Sequence, residues 1–488
     1  MKFRRKQICL RMIIRTTRIR KTNPIRTART ARRTALPILL TLLTARTATR
    51  RTTSFKWIWK KGALWGAFFV STAGLCLFLQ KKELVLYCKC GILRMESLQR
   101  LLQQGVPMKR FELIAPCHFG LEAVLKHEIT ELGYDVIQVE DGRVSFAGDA
   151  EAVCCANIYL RSAERILIKI GSFQAQTYEE LFQGTKSLPW EEFIPTDGRF
   201  WVTKAASVKS RLFSPSDIQS VMKKAMVERM KEVHHIEWFS EEGASFPIRV
   251  FLMKDEVTAA LDTTGVSLHK RGYRKLTAKA PIAENLAAAL IMLTPWKSGR
   301  ILVDPFCGSG TFPIEAAMMA ANIAPGVNRS FTAQQWPHLI APGQWEEIRQ
   351  EAAEQADAGV ETDIQAYDID ENVVALARAN ARMAGVEHLI HFQQRSVKDL
   401  SHSKKYGFII TNPPYGERME EKKSLPGLYG MIGERFKALD SWSMYLITSY
   451  ERAEEAMGLK AAKNRKIYNG MMKTYFYQFP GPKPPKKK

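Results

Sequence analysis

The sequence predicts an α/β protein, with a doubly wound sheet in its C-terminal half behind a smaller mixed module. Three observations carry this reading. From about residue 281, apolar strands alternate with stretches of helical period, which is the pattern of repeated βα units. The first of these strands, 301–304, runs into a glycine-rich turn, Cys307-Gly308-Ser309-Gly310, ahead of a helix. A later strand, 407–411, ends in Asn412-Pro413-Pro414-Tyr415, placed where such sheets bind their ligands.

The elements follow in order. Residues 108–115 alternate as a strand, 116–120 turn, and 121–132 carry apolar positions at helical spacing up to Gly133. Segments 136–139 and 143–146 form a hairpin across Asp141-Gly142, completing a small βαββ unit. Next come a helix over 150–163, a strand over 166–172, a helix over 177–187 and a strand over 199–205. The loop 207–214 leads to a long helix over 216–233, with Ile218, Val221, Met222, Ala225, Met226 and Met230 on one face. Strands 247–254 and 256–262 close this block. The C-terminal half then reads as helix 283–293, strand 301–304, helix 311–321, strand 364–368, helix 371–384, and strands 389–393 and 407–411. Residues 325–360 read as a strandless insertion, and 479–488 as a disordered basic end.

The chain carries a formal net charge of +23, which on its face suggests a nucleic-acid or anionic-membrane binder. The charge is concentrated at the start. Residues 1–107 hold 24 Lys and Arg against two acids, Glu83 and Glu96, whereas 108–488 hold 48 basic and 47 acidic residues. The first 54 residues are Arg/Thr-rich without an apolar period, and 62–79 contain no charge. Three readings compete for this leader: a membrane anchor at 62–79, an organelle transit segment, or upstream nucleotide sequence translated in frame. The abrupt change at Met108 favours the third, under which the basic run says nothing about ligands. Cys117, Cys154, Cys155 and Cys307 form no CxxC and no disulfide framework, so a reducing cytoplasm is expected. Cys88 and Cys90 lack companion ligands, so no metal is expected.

The chemistry-bearing residues cluster at strand ends. Glycines at 308 and 310 let the backbone approach a ligand, and no GxxxxGK[ST] loop argues for a triphosphatase. Asp368, ending strand 364–368, is placed to hold two ribose hydroxyls, while Asp370 is expected to cap the following helix. In Asn412-Pro413-Pro414-Tyr415, two prolines impose a stiff extended backbone. The Asn412 side-chain oxygen and the Pro413 carbonyl are then able to accept both hydrogens of an exocyclic base amine, with Tyr415 as a stacking face. Glu417 and Arg418 beside this loop either help select the base or pair with each other. Cys307, inside the glycine loop, reads as packing rather than as a thiolate nucleophile. His118, His234, His235 and His269 are scattered, and none is assigned to catalysis.

The motifs DPFCGSGT (304–311), YDID (367–370) and NPPYGERM (412–419), in that order, resemble the class I S-adenosylmethionine-dependent methyltransferases that act on exocyclic base nitrogens. Together with LHKRGYR (268–274) and APIAENLA (280–287), they resemble the THUMP-domain RNA methyltransferases, specifically the bacterial 23S rRNA guanine-N2-methyltransferase group of RlmL/YpsC type. The resemblance covers about 108–480. It implies a ferredoxin-like unit at 108–150, a THUMP RNA-binding domain at 151–265 and a Rossmann-like class I methyltransferase domain at 266–480, before a basic tail at 481–488. It further implies that Asp304, Phe306, Gly308 and Gly310 line the methionine end of S-adenosylmethionine, that Asp368 holds its ribose, and that Asn412, Pro413 and Tyr415 hold the target base. Where the family often places an Asp against the adenine amine, this chain has Ser396, with Asp399 three residues on; either residue is left to serve. Lys204, Lys209, Arg211, Lys223 and Lys224 are candidate phosphate contacts on the THUMP face.

The expected reaction is methylation of a guanine N2 amine in RNA, foremost ribosomal RNA. The rivals are adenine N6 methylation, a transfer-RNA substrate, or a non-catalytic RNA-binding or assembly module. No obligate protein partner is evident, and membrane contact is expected only if segment 62–79 is genuine.

Overall fold

The computed structural model describes residues 109–274, 282–416, 419–470 and 472–485, and the backbone of five short strands between 55 and 94. Those five strands form an antiparallel meander within the unit Met1–Val106. The backbone of Ala63–Val70 and Leu75–Gln80 is extended, in the stretch considered as an anchor. The remainder of the leader lies outside the described residues.

The second unit, Pro107–Lys488, holds two seven-stranded sheets. The first begins with β1 (Phe111–Pro116), α1 (Glu122–Glu131), β2 (Val136–Glu140), β3 (Arg143–Gly148) and α2 (Ala150–Tyr159). It continues with β4 (Leu167–Gln174), α3 (Tyr178–Lys186), β5 (Arg199–Val208), α4 (Pro215–His234), β6 (Ser245–Met253) and β7 (Glu256–Asp262). Its strand order is β5-β6-β7-β4-β1-β3-β2. β4 pairs antiparallel with β7 on one side and β1 on the other, so the βαββ unit and the following block share one continuous sheet. Local chemistry sets the helix starts. Asp149 accepts the Ala152 N–H at 3.0 Å, and Thr177 and Glu180 form a reciprocal capping box.

The sequence predicts α2 to run to residue 163, but it ends at Tyr159. The reason lies across the sheet's helix layer. The buried Glu128 carboxylate takes the backbone N–H groups of Arg161 at 2.8 Å and Ser162 at 3.0 Å, which an α-helix would have consumed internally.

The second sheet comprises α5 (Glu284–Leu293), β8 (Leu302–Asp304), α6 (Thr311–Ala320), α7 (Gln344–Glu354), β9 (Ile364–Asp368), α8 (Glu371–Met383) and β10 (Ile390–Gln394). Then follow β11 (Phe408–Thr411), α9 (Met419–Lys437), β12 (Ser443–Thr448), α10 (Ala453–Met457), β13 (Lys463–Asn469) and β14 (Met472–Phe479). The order is β10-β9-β8-β11-β12-β14-β13, parallel except for the terminal hairpin, which inserts β14 antiparallel beside β12. Alternate residues of β8 serve two cores: Leu302 packs with α5, α6 and α8, and Val303 with α9 and α10. The order reverses at β8, so the ends of β8 and β11 open a crevice there.

The insertion after α6 has no strand, as expected, but it is not peripheral. Phe331, Trp336, Ile340, Trp345 and Ile348 belong to the core of the first sheet. Trp336 stacks on Phe246 with ring centroids 5.0 Å apart, and its indole N–H donates to the Ser245 carbonyl. Gly326 donates to the Ile158 carbonyl at 2.9 Å; a Cβ there would stand 2.4 Å from the Asn157 carbonyl, so only glycine permits this approach. Conversely, Leu121 and Val124, at the start of α1, are buried in a core of the second sheet. Part of the end expected to be disordered is ordered: Phe479 closes β14, and the Gly481 N–H donates to Ser443 Oγ at 2.9 Å; residues 486–488 lie outside the described residues.

Candidate active site

β8 delivers Asp304 to the crevice floor, with its side chain almost wholly buried. Its Oδ1 accepts the Thr411 hydroxyl at 2.6 Å and the Phe306 N–H at 3.1 Å. Burial pushes this carboxyl up to about 7, with the neighbouring Asp368 charge acting in the same direction. Thr411 is the last residue of β11 and Asp304 the last of β8, so this bond ties the ends of the two strands together. The turn then runs through Gly308 and Gly310 with φ of +52° and +86°. A Cβ on Gly310 would press on Ala377 of α8 at 3.2 Å, whereas one on Gly308 would meet nothing within 4 Å. The first glycine leaves space for a ligand, and the second allows close helix packing.

Asp368 sits at the end of β9. Its Oδ2 accepts the Gly308 N–H at 3.2 Å and its Oδ1 the Asp370 N–H at 3.1 Å. Burial raises its pKa in spite of these bonds. Asp370 caps α8 by accepting the Asn372 N–H at 2.9 Å, as expected from the sequence.

Asn412, Pro413, Pro414 and Tyr415 follow β11, and the Tyr415 hydroxyl donates to Asn412 Oδ1. These four residues line the same cavity, of about 580 Å3, as Asp304, Phe306, Gly308, Asp368 and Ser396. That volume lies within the range of small-molecule and cofactor sites. Gly310 stands behind its wall. Ser396 lines the cavity and caps the following turn, accepting the Lys398 N–H at 3.3 Å, while Asp399 is exposed and does not line it. Glu417 and Arg418 lie outside the described residues.

Sequence reasoning missed several lining residues. Ile369 is 71% exposed directly after Asp368, and the buried Val397 follows Ser396; both line the cavity. For Ile369 the signal was available, since an exposed apolar residue directly after a strand-end acid has no core to fill; Val397 belongs to a core cluster and gave none. Leu428 and Met431 of α9 also line it, and no motif announced them. Burial pushes the Cys307 thiol far up and keeps it protonated, consistent with its reading as packing.

The five basic candidates of the first sheet divide. Lys204, Lys209 and Arg211 are exposed along β5 and the loop after it. Lys223 is engaged elsewhere: its ammonium donates to the Phe200 carbonyl, pairs with Glu241 at 3.0 Å and stands over the Phe200 ring. Lys224 stands over the Phe182 ring. Phe213, 80% exposed, lies two residues from Arg211 and was not foreseen. Among the described residues, no group of three or more His, Cys, Asp or Glu side chains could hold a metal ion, and no helix is long and apolar enough to cross a membrane.

The strand order and the strand-end cavity define a class I, S-adenosylmethionine-dependent methyltransferase. Family models match the RlmL ferredoxin-like domain at 112–167, the THUMP domain at 175–262 and the RMKL-like methyltransferase domain at 271–478. YpsC of Bacillus subtilis (strain 168), provisionally named an RNA methyltransferase, is 46% identical over 374 residues, covering 76% of this chain and 96% of the relative. The chain therefore belongs to the RlmL/YpsC family of THUMP-domain RNA methyltransferases. Two solved structures have the same architecture. SMU.472, a methyltransferase candidate complexed with SAH, superposes with a TM-score of 0.73 at 44% identity, covering 78% of this chain and all of that one. A protein from Listeria monocytogenes str. 4b F2365, described as a predicted N6-adenine-specific DNA methylase, gives 0.73 at 45% identity, covering 78% and 98%. The cofactor is S-adenosylmethionine, and the open space at Gly308, the half-buried Asp368 carboxylate and the cavity volume all fit it.

Proposed function

We propose that this enzyme methylates the exocyclic N2 amine of a guanine in 23S ribosomal RNA, in the cytoplasm. The observation that carries the reading is that Asn412, Pro413 and Tyr415 line one continuous cavity with Phe306, Gly308 and Asp368. A target amine and a cofactor can thus meet in one space. The choice of guanine and of ribosomal RNA rests on family resemblance, since the loop suits any planar exocyclic amine.

S-adenosylmethionine, when bound, supplies an electrophilic methyl carbon on a positively charged sulfur. Asp368 would hold its ribose hydroxyls, the turn from Phe306 to Gly310 its methionine end, and Ser396 its adenine edge, with Ile369 and Val397 on the ring faces. The chain's own contribution is orientation. Asn412 Oδ1 and the Pro413 carbonyl accept the two amine hydrogens, which turns nitrogen lone-pair density out of conjugation with the ring. Tyr415 stacks on the flipped base and fixes its plane. The methylated nitrogen carries a surplus, strongly acidic proton that passes to water, so no base of matched pKa is required. Holding the reacting atoms in line and excluding water supplies the rate. Exposed Lys204, Lys209 and Arg211 would grip RNA phosphates.

The test is transfer of labelled methyl groups to ribosomal RNA from a strain lacking the gene, with Asn412→Ala expected to abolish it. Digestion to nucleosides then separates N2-methylguanosine from N6-methyladenosine, and only the former supports this assignment. The Listeria structure's description makes the adenine product the specific rival. Labelling confined to transfer RNA would move the substrate. RNA binding without any cofactor binding would make the protein a binding module.

A further inference from the structure

The active-site loop faces a structural difficulty of its own making. Pro413 and Pro414 have no N–H groups, so two successive backbone positions beyond β11 donate no hydrogen bonds. The loop is nevertheless held, and side-chain hydroxyls do it. Thr411 Oγ1 bonds Asp304 before the prolines, and the Tyr415 hydroxyl bonds Asn412 after them. The third comes from outside the motif. Tyr429, in the middle of α9 and fully buried, donates its hydroxyl to the Pro414 carbonyl at 3.3 Å.

A phenol has one proton to give, so its other bond must be received. Tyr429 Oη lies 2.5 Å from Thr448 Oγ1, and Thr448 in turn accepts the Tyr450 N–H at 3.0 Å. With the Tyr429 proton on the Pro414 carbonyl, Thr448 is the donor to Tyr429, and the bonds run from Tyr450 N–H to Thr448, from Thr448 O–H to Tyr429, and from Tyr429 O–H to Pro414. Burial holds the Tyr429 hydroxyl protonated far above neutral pH, so the donor is always present. Thr448 ends β12, a strand buried along its whole length, which gives the chain of bonds a rigid root. The Tyr429 ring packs against the Tyr450 ring with centroids 4.9 Å apart, leaving it little room to swing.

We propose that Tyr429 is a positioning residue for methyl transfer, fixing the Pro414 carbonyl through the Thr448–Tyr429 chain so that Asn412 and Pro413 present their oxygens to the target amine in a single geometry. Tyr429 touches neither base nor cofactor; it acts through the loop. This rests on the assignment of Asn412 and Pro413 to the amine under the proposed function. It predicts that the chain matters for turnover and not for cofactor binding: α9 packs against the turn after β10 that carries Val397, but the Tyr429 hydroxyl bonds only Pro414 and Thr448, and neither Asp368 nor Ser396 takes part in that chain.

The experiment compares full-length wild type, Tyr429→Phe and Thr448→Val, using ribosomal and transfer RNA from a strain lacking the gene as acceptors. Tyr429→Phe keeps the ring and removes only the hydroxyl. The expected result is a kcat lowered tenfold or more, with KM for RNA and affinity for S-adenosylhomocysteine each within about twofold of wild type. Thr448→Val should fall similarly, and the double variant no further than the worse single, because both break one chain. A Tyr429→Phe kcat within twofold of wild type overturns the proposal. So does a parallel loss of S-adenosylhomocysteine affinity, which would mark a general structural role. If the wild type labels neither RNA, the parent reading of the substrate fails instead, which separates the two failures.

Discussion

Tyr415 holds two jobs in one side chain, and two substitutions separate them. Its hydroxyl donates to Asn412 Oδ1, the oxygen assigned to the target amine. Its ring is the face on which the flipped base is to stack. Tyr415→Phe removes the first and keeps the second. A neutral hydrogen bond contributes about 0.5–1.5 kcal/mol net, and an amide oxygen has two lone pairs. Freeing one of them therefore alters base capture by at most about tenfold, in the direction of a lower KM for RNA. Tyr415→Ala removes the ring as well. Base–aromatic stacking contributes about 1–3 kcal/mol, which at about 1.4 kcal/mol per decade predicts a loss of roughly 5- to 150-fold in kcat/KM. The assay is labelled-methyl incorporation into RNA at saturating cofactor, with S-adenosylhomocysteine titrated calorimetrically to show that its site is intact. The reasoning is refuted if Tyr415→Phe is as damaged as Tyr415→Ala, because the hydroxyl would then be the active group. It is equally refuted if Tyr415→Ala turns over normally.

Three further outcomes follow from the cavity's carboxylates and its serine. The Asp304 carboxyl has a pKa of about 7 in the fold against an ordinary 3.8, so the folded state binds more protons than the unfolded state between those values. Its contribution to stability therefore falls as pH rises through that window and is flat above it; Asp304→Asn, which keeps an acceptor for Thr411, should gain in melting temperature relative to wild type from pH 4.5 to 7.5, and parallel curves would contradict this. Asp368→Ala should weaken S-adenosylhomocysteine by tenfold or more in calorimetry, since it removes the carboxylate placed for two ribose hydroxyls. Ser396→Ala should weaken the same ligand by severalfold and Asp399→Ala by less than twofold, because only Ser396 lines the cavity; the reverse ranking would reassign the adenine contact.

Much of this architecture was legible because local and global signals agreed. The strand ending at Asp368, the glycine turn and the proline-rich loop each announce themselves by residue types with few other uses. Asp370 as a cap and Asp368 as the inward carboxylate followed from the chain's need to start α8 with an acceptor. What stayed hidden depends on partners far away in sequence. The early end of α2 is set by Glu128, a residue 33 positions before Arg161. The commitment of Lys223 to Glu241 and the Phe200 carbonyl leaves no trace in a one-dimensional charge count. Tyr429 reads as one more apolar position of a helix, since nothing local says that its hydroxyl meets a proline carbonyl. The C-terminal hairpin was likewise unread, because β13 is mostly exposed and lacks an apolar run.

The interlocking of the two sheets bears on how the nearly neutral region 108–488 would select its RNA. The insertion between α6 and β9 contributes Trp336 and Trp345 to the first sheet's core, while α1 contributes Leu121 and Val124 to the second. At the junction, Arg271 donates to the Leu268 and Arg161 carbonyls and pairs with Glu315 at 3.5 Å, and Glu315 also receives the Tyr273 hydroxyl at 3.0 Å. Arg274 then bonds Thr311, the first residue of α6 and a lining residue of the cavity. Each half thus completes the other's core, and separating them would expose large apolar groups and buried charges together. A basic face carried on such a frame stands at a set span from the methyl-transfer cavity. With 48 basic against 47 acidic residues, the region 108–488 adds little diffuse attraction to RNA of its own. Selection would then come from whether one RNA fold can satisfy the few exposed cations and place its target amine at Asn412 simultaneously, and the interlocked cores are what give that geometric condition its force.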